Sequence, residues 1–281
     1  MIGESLKGIR PALRYPGSKS KVADLLFSKF PKDIQMFVEP FAGSASMFFK
    51  FREHFPGTTC WINDSYKPLI DFYQCLRDPI KADLLIRRLY HDHKSIGSLE
   101  DAKAHFRKIK ARGLLSFQDP TRTARDLFFL NRVTFGGTIE SGGFSPVQFS
   151  GRYTLSSIEK VEQATNPLIW LNTIITNFDF MTVIENCQQP DRFFLVDPPY
   201  YMPKVKPKLY GKDGRLSRFP HRKLRDALKS AKFKFLLTLQ DDPIIRKAYG
   251  FANIEPLEMI YGISTDDGKS RRGKEICITN Y

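Results

Sequence analysis

The chain reads as an open α/β sheet with helices on both faces, and two observations predict it. Short apolar, β-branched segments alternate with helical patterns along most of the 281 residues. Each apolar segment also runs into an acid or a glycine at its C-terminal end, the edge at which open α/β sheets bind ligands. The length suits one large domain, or one domain carrying an insertion.

Taken in order, MFVEPFAG (36–43) is a strand ending in a turn, and the segment after it starts a helix that Ser44 or Ser46 caps. TTCWIND (58–64) is a second strand with Asp64 at its end. LIWLNTIITNFDF (168–180) is expected as a strand finishing on Asp179. RFFLVDPPY (192–200) and FKFLLTLQDD (233–242) are two more units of this kind, and EICITNY closes the sheet. Glu39, Asp64, Asp179, Asp197 and Asp241 are therefore expected to converge on one crevice. From about residue 78 to 165 the character changes: 82–112 is charged and helix-like, and 128–155 is rich in glycine, aromatics and Ser/Thr without clean periodicity. This stretch reads as an inserted recognition domain, mostly helical and loop-rich, between catalytic segments 10–77 and 166–281.

A formal charge of +14, from 44 Lys+Arg against 30 Asp+Glu, favours a polyanionic partner, because neutralising phosphates releases counterions. The four cysteines are scattered and the His residues dispersed, which excludes a zinc framework and a secreted disulfide scaffold and leaves no metal site in view. No apolar run approaches the roughly 18 residues that span a bilayer, and the expected location is the cytoplasm.

The chemistry concentrates at Asp197-Pro198-Pro199-Tyr200. Two prolines stiffen an extended turn, so the Asp197 carboxylate and the Pro198 carbonyl can accept both hydrogens of one exocyclic amine. Tyr200 offers a ring on which a flat base stacks. An aryl amine is a poor nucleophile, and two acceptors on its hydrogens return electron density to nitrogen. Cytosine-C5 chemistry needs a cysteine thiolate, and Asn186-Cys187-Gln188 lacks the preceding proline of that setting.

RYPGSKSK (14–21), VEPFAGSAS (38–46) and LVDPPYY (195–201) together resemble the Dam-type DNA adenine-N6 methyltransferases, from Leu13 to the C-terminus. The resemblance implies a Rossmann-like S-adenosylmethionine-dependent sheet whose recognition domain lies between the cofactor motif and the DPPY turn. Glu39, Pro40, Phe41, Gly43 and Ser44 would form the cofactor loop, with Glu39 at the methionine amino end. Ala45 stands where the family has its last glycine, and fits if its φ is negative. Asp64 would hold the ribose hydroxyls and Asp179-Phe180 the cofactor's adenine. Tyr15, Gly17 and Lys19 would fold back beside the cofactor, with Lys19 reaching either that pocket or a phosphate.

The resemblance further implies double-stranded DNA as partner, the target adenine being extruded because a stacked amine cannot reach a buried methyl donor. Its recognition hairpin corresponds to Asn131, Arg132, Phe135, Gly136, Thr138, Glu140, Arg152 and Tyr153, with Phe135 as the wedge and Arg14 as a further DNA contact. GATC-reading members carry Arg about five residues beyond that aromatic, a reader of guanine. Here Glu140 suits cytosine N4 instead, which speaks against GATC and leaves the word open. Nine Lys/Arg between Lys204 and Arg225, among them Lys204, Lys206 and Lys208, form an expected loop over the flipped base and flanking phosphates. Arg271 and Arg272 form a second basic cluster. A separately acting restriction endonuclease is an allowed partner, and the oligomeric state is open. The rivals are an N4-cytosine methyltransferase and an inactive DNA-binding relative.

Overall fold

The computed structural model describes residues 6–15, 17–116, 118–200, 219–264 and 270–281, with the side chains of 258–273 left out. In chain order the elements are α1 (Ala23–Phe27), β1 (Met36–Glu39), α2 (Ser46–His54), β2 (Thr59–Asn63), α3 (Lys67–Arg77), α4 (Pro79–Ser95) and α5 (Leu99–Arg112). Next come α6 (Pro120–Val133), α7 (Pro146–Arg152), α8 (Leu155–Gln163), α9 (Pro167–Trp170), β3 (Thr173–Thr176), α10 (Phe180–Glu185) and β4 (Arg192–Val196). The chain ends with α11 (His221–Lys229), β5 (Lys234–Gln240), α12 (Pro243–Ala248), β6 (Asn253–Ser264) and β7 (Ser270–Thr279).

The seven strands form one sheet in the order β3-β2-β1-β4-β5-β7-β6. The first five run parallel, while β7 joins β5 antiparallel and pairs with β6 along the edge. Because β1, β2 and β3 step one way and β4 and β5 the other, the strand order reverses between β1 and β4, and a crevice opens at their carboxyl ends. Strands buried on both faces need continuous apolar runs. Phe193 to Val196 of β4 and Phe235 to Leu239 of β5 are accordingly all buried. One hydrophobic cluster joins Phe37, Phe48 and Leu195 to the helices α3 to α8, and the other joins Val38, Phe194 and Leu237 to α10, α11 and α12.

Several helices start on one signature, a capping Asp, Asn or Ser followed by proline. Asp78, Asp119, Ser145, Asn166 and Asp242 each accept a backbone N–H in the first turn of α4, α6, α7, α9 and α12. That signature corrects the expectation of one strand over 168–180. Asn166-Pro167 starts the short α9, Asn172 turns the chain at φ 51°, and only Thr173–Thr176 is strand. The hairpin expected within 128–155 is corrected too. Residues to Val133 continue α6, 146–152 form α7, and the strand pairing between them is the single bridge Thr134–Phe144.

Among the described residues no helix is long and apolar enough to cross a membrane, and no group of His, Cys, Asp and Glu is arranged to hold a metal.

Candidate active site

A pocket open to solvent lies at the carboxyl ends of β1 and β4. Its walls come from the N-terminal segment (Tyr15, Gly17, Ser18, Lys19), the loop after β1 (Glu39, Phe41 to Ser44, Ser46), Asp64 after β2, and the turn Asp197 to Tyr200 after β4.

The loop after β1 is held by its own backbone. The Ala42 N–H donates to the Asn63 carbonyl (2.8 Å), the Gly43 N–H to Asp64 Oδ2 (3.0 Å), and Tyr73 donates its hydroxyl proton to the Gly43 carbonyl (2.6 Å). Gly43 has φ +48°, and a Cβ there would sit 3.2 Å from the Tyr15 ring, so both conformation and space call for glycine. Ala45 departs from expectation. Its φ is +54°, fully buried, at the N-cap of α2 with no side-chain cap. The expected serine cap is therefore absent. Ser44 pairs instead with the Ser18 hydroxyl (2.9 Å), and the carboxylate of Glu39 accepts the Phe48 N–H in the first turn of α2.

Glu39 is 3 % exposed, and its Oε2 has no hydrogen-bond partner among the described residues. Burial, reinforced by the negative charge of Asp197 and of Asp64, raises its pKa well above the ordinary carboxyl range, against the Phe48 N–H. Asp64 accepts from Gly43 and from the Tyr66 N–H (2.9 Å), and burial raises its pKa against those two donors.

Both oxygens of Asp197 are paired. Lys19 Nζ lies 2.7 and 2.8 Å from its two carboxylate oxygens, and Thr238 of β5 donates to Oδ1 at 2.6 Å. The same ammonium reaches the Tyr200 hydroxyl (3.0 Å) and the Gly17 carbonyl (3.1 Å). Lys19 is 3 % exposed, so the alternative of a surface phosphate contact falls away.

Not every expected residue reaches this pocket. Of the five strand-end acids, Glu39, Asp64 and Asp197 line it. Asp179 caps α10 through the Met181 N–H, and Asp241 pairs with Arg246 (2.6 Å). The Phe180 ring is buried against Phe41 and Phe219 rather than facing the pocket, and Pro40 offers its carbonyl to Asn63 Nδ2 (3.0 Å). Thr238 and Glu275 were not singled out in the sequence. Thr238 is the lone polar residue of the apolar run FLLTL, which is the signal that marks it; Glu275, beside Lys274, carries no such signal.

The expected DNA-contact residues divide by burial. Phe135 stands 63 % exposed just beyond α6, followed by Gly136 at φ 62°. Thr138 donates to the Phe135 carbonyl (3.0 Å), and Glu140 lies beside the Tyr66 hydroxyl. Asn131, Arg132 and Tyr153 are corrections, for their side chains are buried. Asn131 accepts the Arg14 N–H (3.0 Å) and donates to the Arg14 carbonyl (2.5 Å), Arg132 donates to the Ala12 carbonyl, and Tyr153 packs on Phe129 and Phe149. They anchor the segment that carries Tyr15, Gly17 and Lys19. Arg14, whose Nη1 donates to Gln148 Oε1 (2.6 Å), lies near exposed Arg152. Burial and that neighbour lower the pKa of Arg14, and burial with both neighbours lowers that of Arg132 to about 10. Lys204, Lys206 and Lys208 lie outside the described residues, as do the side chains of Arg271 and Arg272.

A parallel sheet with its pocket at the switch point, a glycine turn after β1, an acid after β2 and a DPPY turn after β4 together define a methyltransferase fold of the Rossmann-like kind. Residues 15–263 match the D12 class N6 adenine-specific DNA methyltransferases, and the chain belongs to that family. It is similar to the type II methyltransferase M.CviBI of Paramecium bursaria Chlorella virus NC1A, 26 % identical over 278 residues covering 97 % of this chain and 98 % of that one. It is also similar to the type II methyltransferase M.MjaIII of Methanocaldococcus jannaschii, 21 % identical over 203 residues, 68 % of this chain and 69 % of the other. The protein is thus an adenine-N6 DNA methyltransferase, and the family match decides against cytosine N4.

Proposed function

We propose that the pocket binds S-adenosylmethionine and that the Asp197–Tyr200 turn holds the amine of an adenine extruded from duplex DNA. The observation that carries this reading is the placement of Asp197 across one pocket from Glu39, whose buried Oε2 has no partner among the described residues. An orphaned buried carboxylate calls for a cation, and the cofactor's α-ammonium supplies one. Asp64 keeps lone pairs for ribose hydroxyls, and Gly43 keeps the wall thin. Bound there, the cofactor supplies an electrophilic methyl group.

The chain's own residues do the rest. Asp197 and the Pro198 carbonyl accept the two N6 hydrogens, Pro199 stiffens the turn, and Tyr200 stacks on the base. Holding the amine in line with the methyl carbon supplies much of the acceleration. The proton that N6 sheds after alkylation passes to Asp197. Asp179-Phe180 backs the adenine end through Phe41.

Residues 10–77 and 166–281 form the catalytic domain in this reading, and 78–165 the inserted recognition domain, the two sharing one hydrophobic cluster. Phe135 wedges into the stack as the adenine leaves, Gly136, Thr138 and Glu140 lie on the reading edge, and Arg14 with Arg152 takes backbone phosphate. A separate cognate endonuclease accords with the type II names of both relatives, and the place of action in this reading is the cytoplasm of a bacterial or virally infected cell.

The test is to map modified bases in DNA from cells expressing the chain and its Asp197→Asn variant. N6-methyladenine in one short word, lost in the variant, is expected. Full methylation by Asp197→Asn would overturn the assignment of Asp197.

A further inference from the structure

Glu275 lies on β7 opposite Gln240 of β5, is 2 % exposed, and places Oε2 3.9 Å from Lys19 Nζ. Its carboxylate also shares a hydrogen bond with Tyr200. A second buried carboxylate thus faces the ammonium that already straddles both oxygens of Asp197.

This arrangement bears on how Asp197 becomes available. With Lys19 on both oxygens and Thr238 also on Oδ1, a substrate amine has to share Oδ2 with the ammonium. As the amine engages Oδ2, the hold of Lys19 on that oxygen weakens, and a cation only 3 % exposed is costly to leave under-paired. Shifting toward Glu275 by roughly 1 Å, the difference between 3.9 and 2.8 Å, restores a full ion pair. Thr238 holds Asp197 from the β5 side and does not have to move. Among the described residues, the charged and titratable groups facing Lys19 are Asp197 and Tyr200 after β4 and Glu275 on β7, and Glu39 stands near Asp197.

We propose that Glu275 is a positioning residue that takes over the Lys19 ammonium as the substrate amine reaches Asp197, so that the cation alternates between two carboxylates. The proposal rests on the reading of Asp197 as amine acceptor. Burial raises the pKa of Glu275 and Lys19 opposes that shift, as suits a carboxylate that becomes the principal partner only when Asp197 turns to the substrate.

Glu275→Gln keeps the shape and a hydrogen bond for Tyr200 while removing the charge. Measured on the full chain with unmethylated plasmid DNA, kcat should fall about tenfold, while the KM for DNA and the Kd for S-adenosylmethionine change less than twofold and Tm does not drop. Glu275→Asp, which retains charge at shorter reach, should recover part of that kcat. An unchanged kcat in Glu275→Gln, or a loss spread equally over kcat, cofactor Kd and Tm, overturns the proposal, and so does a Glu275→Asp variant no faster than Glu275→Gln. Asp197→Asn, assayed alongside, separates the two readings. Activity retained there removes the amine-acceptor assignment itself, whereas an inactive Asp197→Asn beside a fully active Glu275→Gln removes only the alternation.

Discussion

The side chain of Asn131 brackets the peptide of Arg14, taking its N–H at 3.0 Å and giving a proton to its carbonyl at 2.5 Å. One buried amide thereby fixes the strip of chain that brings Tyr15, Gly17 and Lys19 to the pocket. Gly137 reinforces the contact, because a Cβ there would come within 2.9 Å of the Arg14 carbonyl. Asn131→Ala should lower stability by about 2–4 kcal/mol, since it leaves two buried backbone groups unpaired. Its salt dependence of DNA binding should stay that of the wild type. Thermal unfolding and a salt titration check this, and a slope reduced by about one would return Asn131 to the set of phosphate contacts.

Ala45 holds a left-handed conformation at φ +54° that alanine adopts only under strain. Ala45→Gly should raise stability by about 1 kcal/mol and leave cofactor affinity equal or tighter. Thermal unfolding with and without S-adenosylmethionine tests it, and a destabilised glycine variant would show that the loop does not pay a conformational penalty at this position.

Glu39 has a pKa raised by burial and by the charge of Asp197, so the folded chain binds its proton more tightly than the unfolded chain does. Its favourable contribution is complete below the ordinary glutamate range and is lost as pH rises through the raised value. Glu39→Gln should therefore stabilise the ligand-free protein by about 1–3 kcal/mol near pH 8, with a smaller gain near pH 5, and should weaken cofactor binding. Unfolding at the two pH values together with calorimetry checks both, and a gain independent of pH would contradict the titration.

Phe135 is 63 % exposed in the turn that follows α6. If it fills the gap left by the target base, Phe135→Ala should reduce kcat/KM on intact duplex by about 1–3 kcal/mol, the worth of one stacking contact. The loss should shrink where the target adenine is already mispaired. Equal losses on both substrates would show that the ring serves general binding.

Arg152 is exposed, with Arg14 and Arg132 as its guanidinium neighbours. Arg152→Ala should reduce the salt slope of DNA binding by about one and weaken binding similarly across sequences. A loss confined to one recognition word would make it a base reader.

Much of the sheet was legible because its strands are short apolar runs ending in distinctive residues, as Phe193 to Val196 before Asp197 shows. The segment 168–180 misled because β-branched content alone does not separate a strand from a short helix started by Asn166-Pro167. The pocket was legible where a motif holds its residues close together, as Glu39 to Ser44 and Asp197 to Tyr200 do. What pairs with what was not. Lys19 and Asp197 are 178 residues apart, and nothing near either announces the other. The resemblance implies DNA contacts at Asn131 and Arg132, but their partners are backbone groups of a distant segment, and a motif in a sequence does not reveal burial. The sign of φ at Ala45 is set by the turn that the loop makes, not by the residue found there.

The dependence of the site on β7 has a consequence for how the enzyme comes into being. Glu275 approaches Lys19 from β7, and Lys19 itself lies on a segment ahead of β1. Contacts so distant in sequence close late, after local helices and neighbouring strands have formed. A chain folded only as far as β5 holds the DPPY turn and the glycine loop, yet lacks the carboxylate that β7 places beside Lys19. The full set of charges around Lys19 is thus assembled only when β7 pairs with β5.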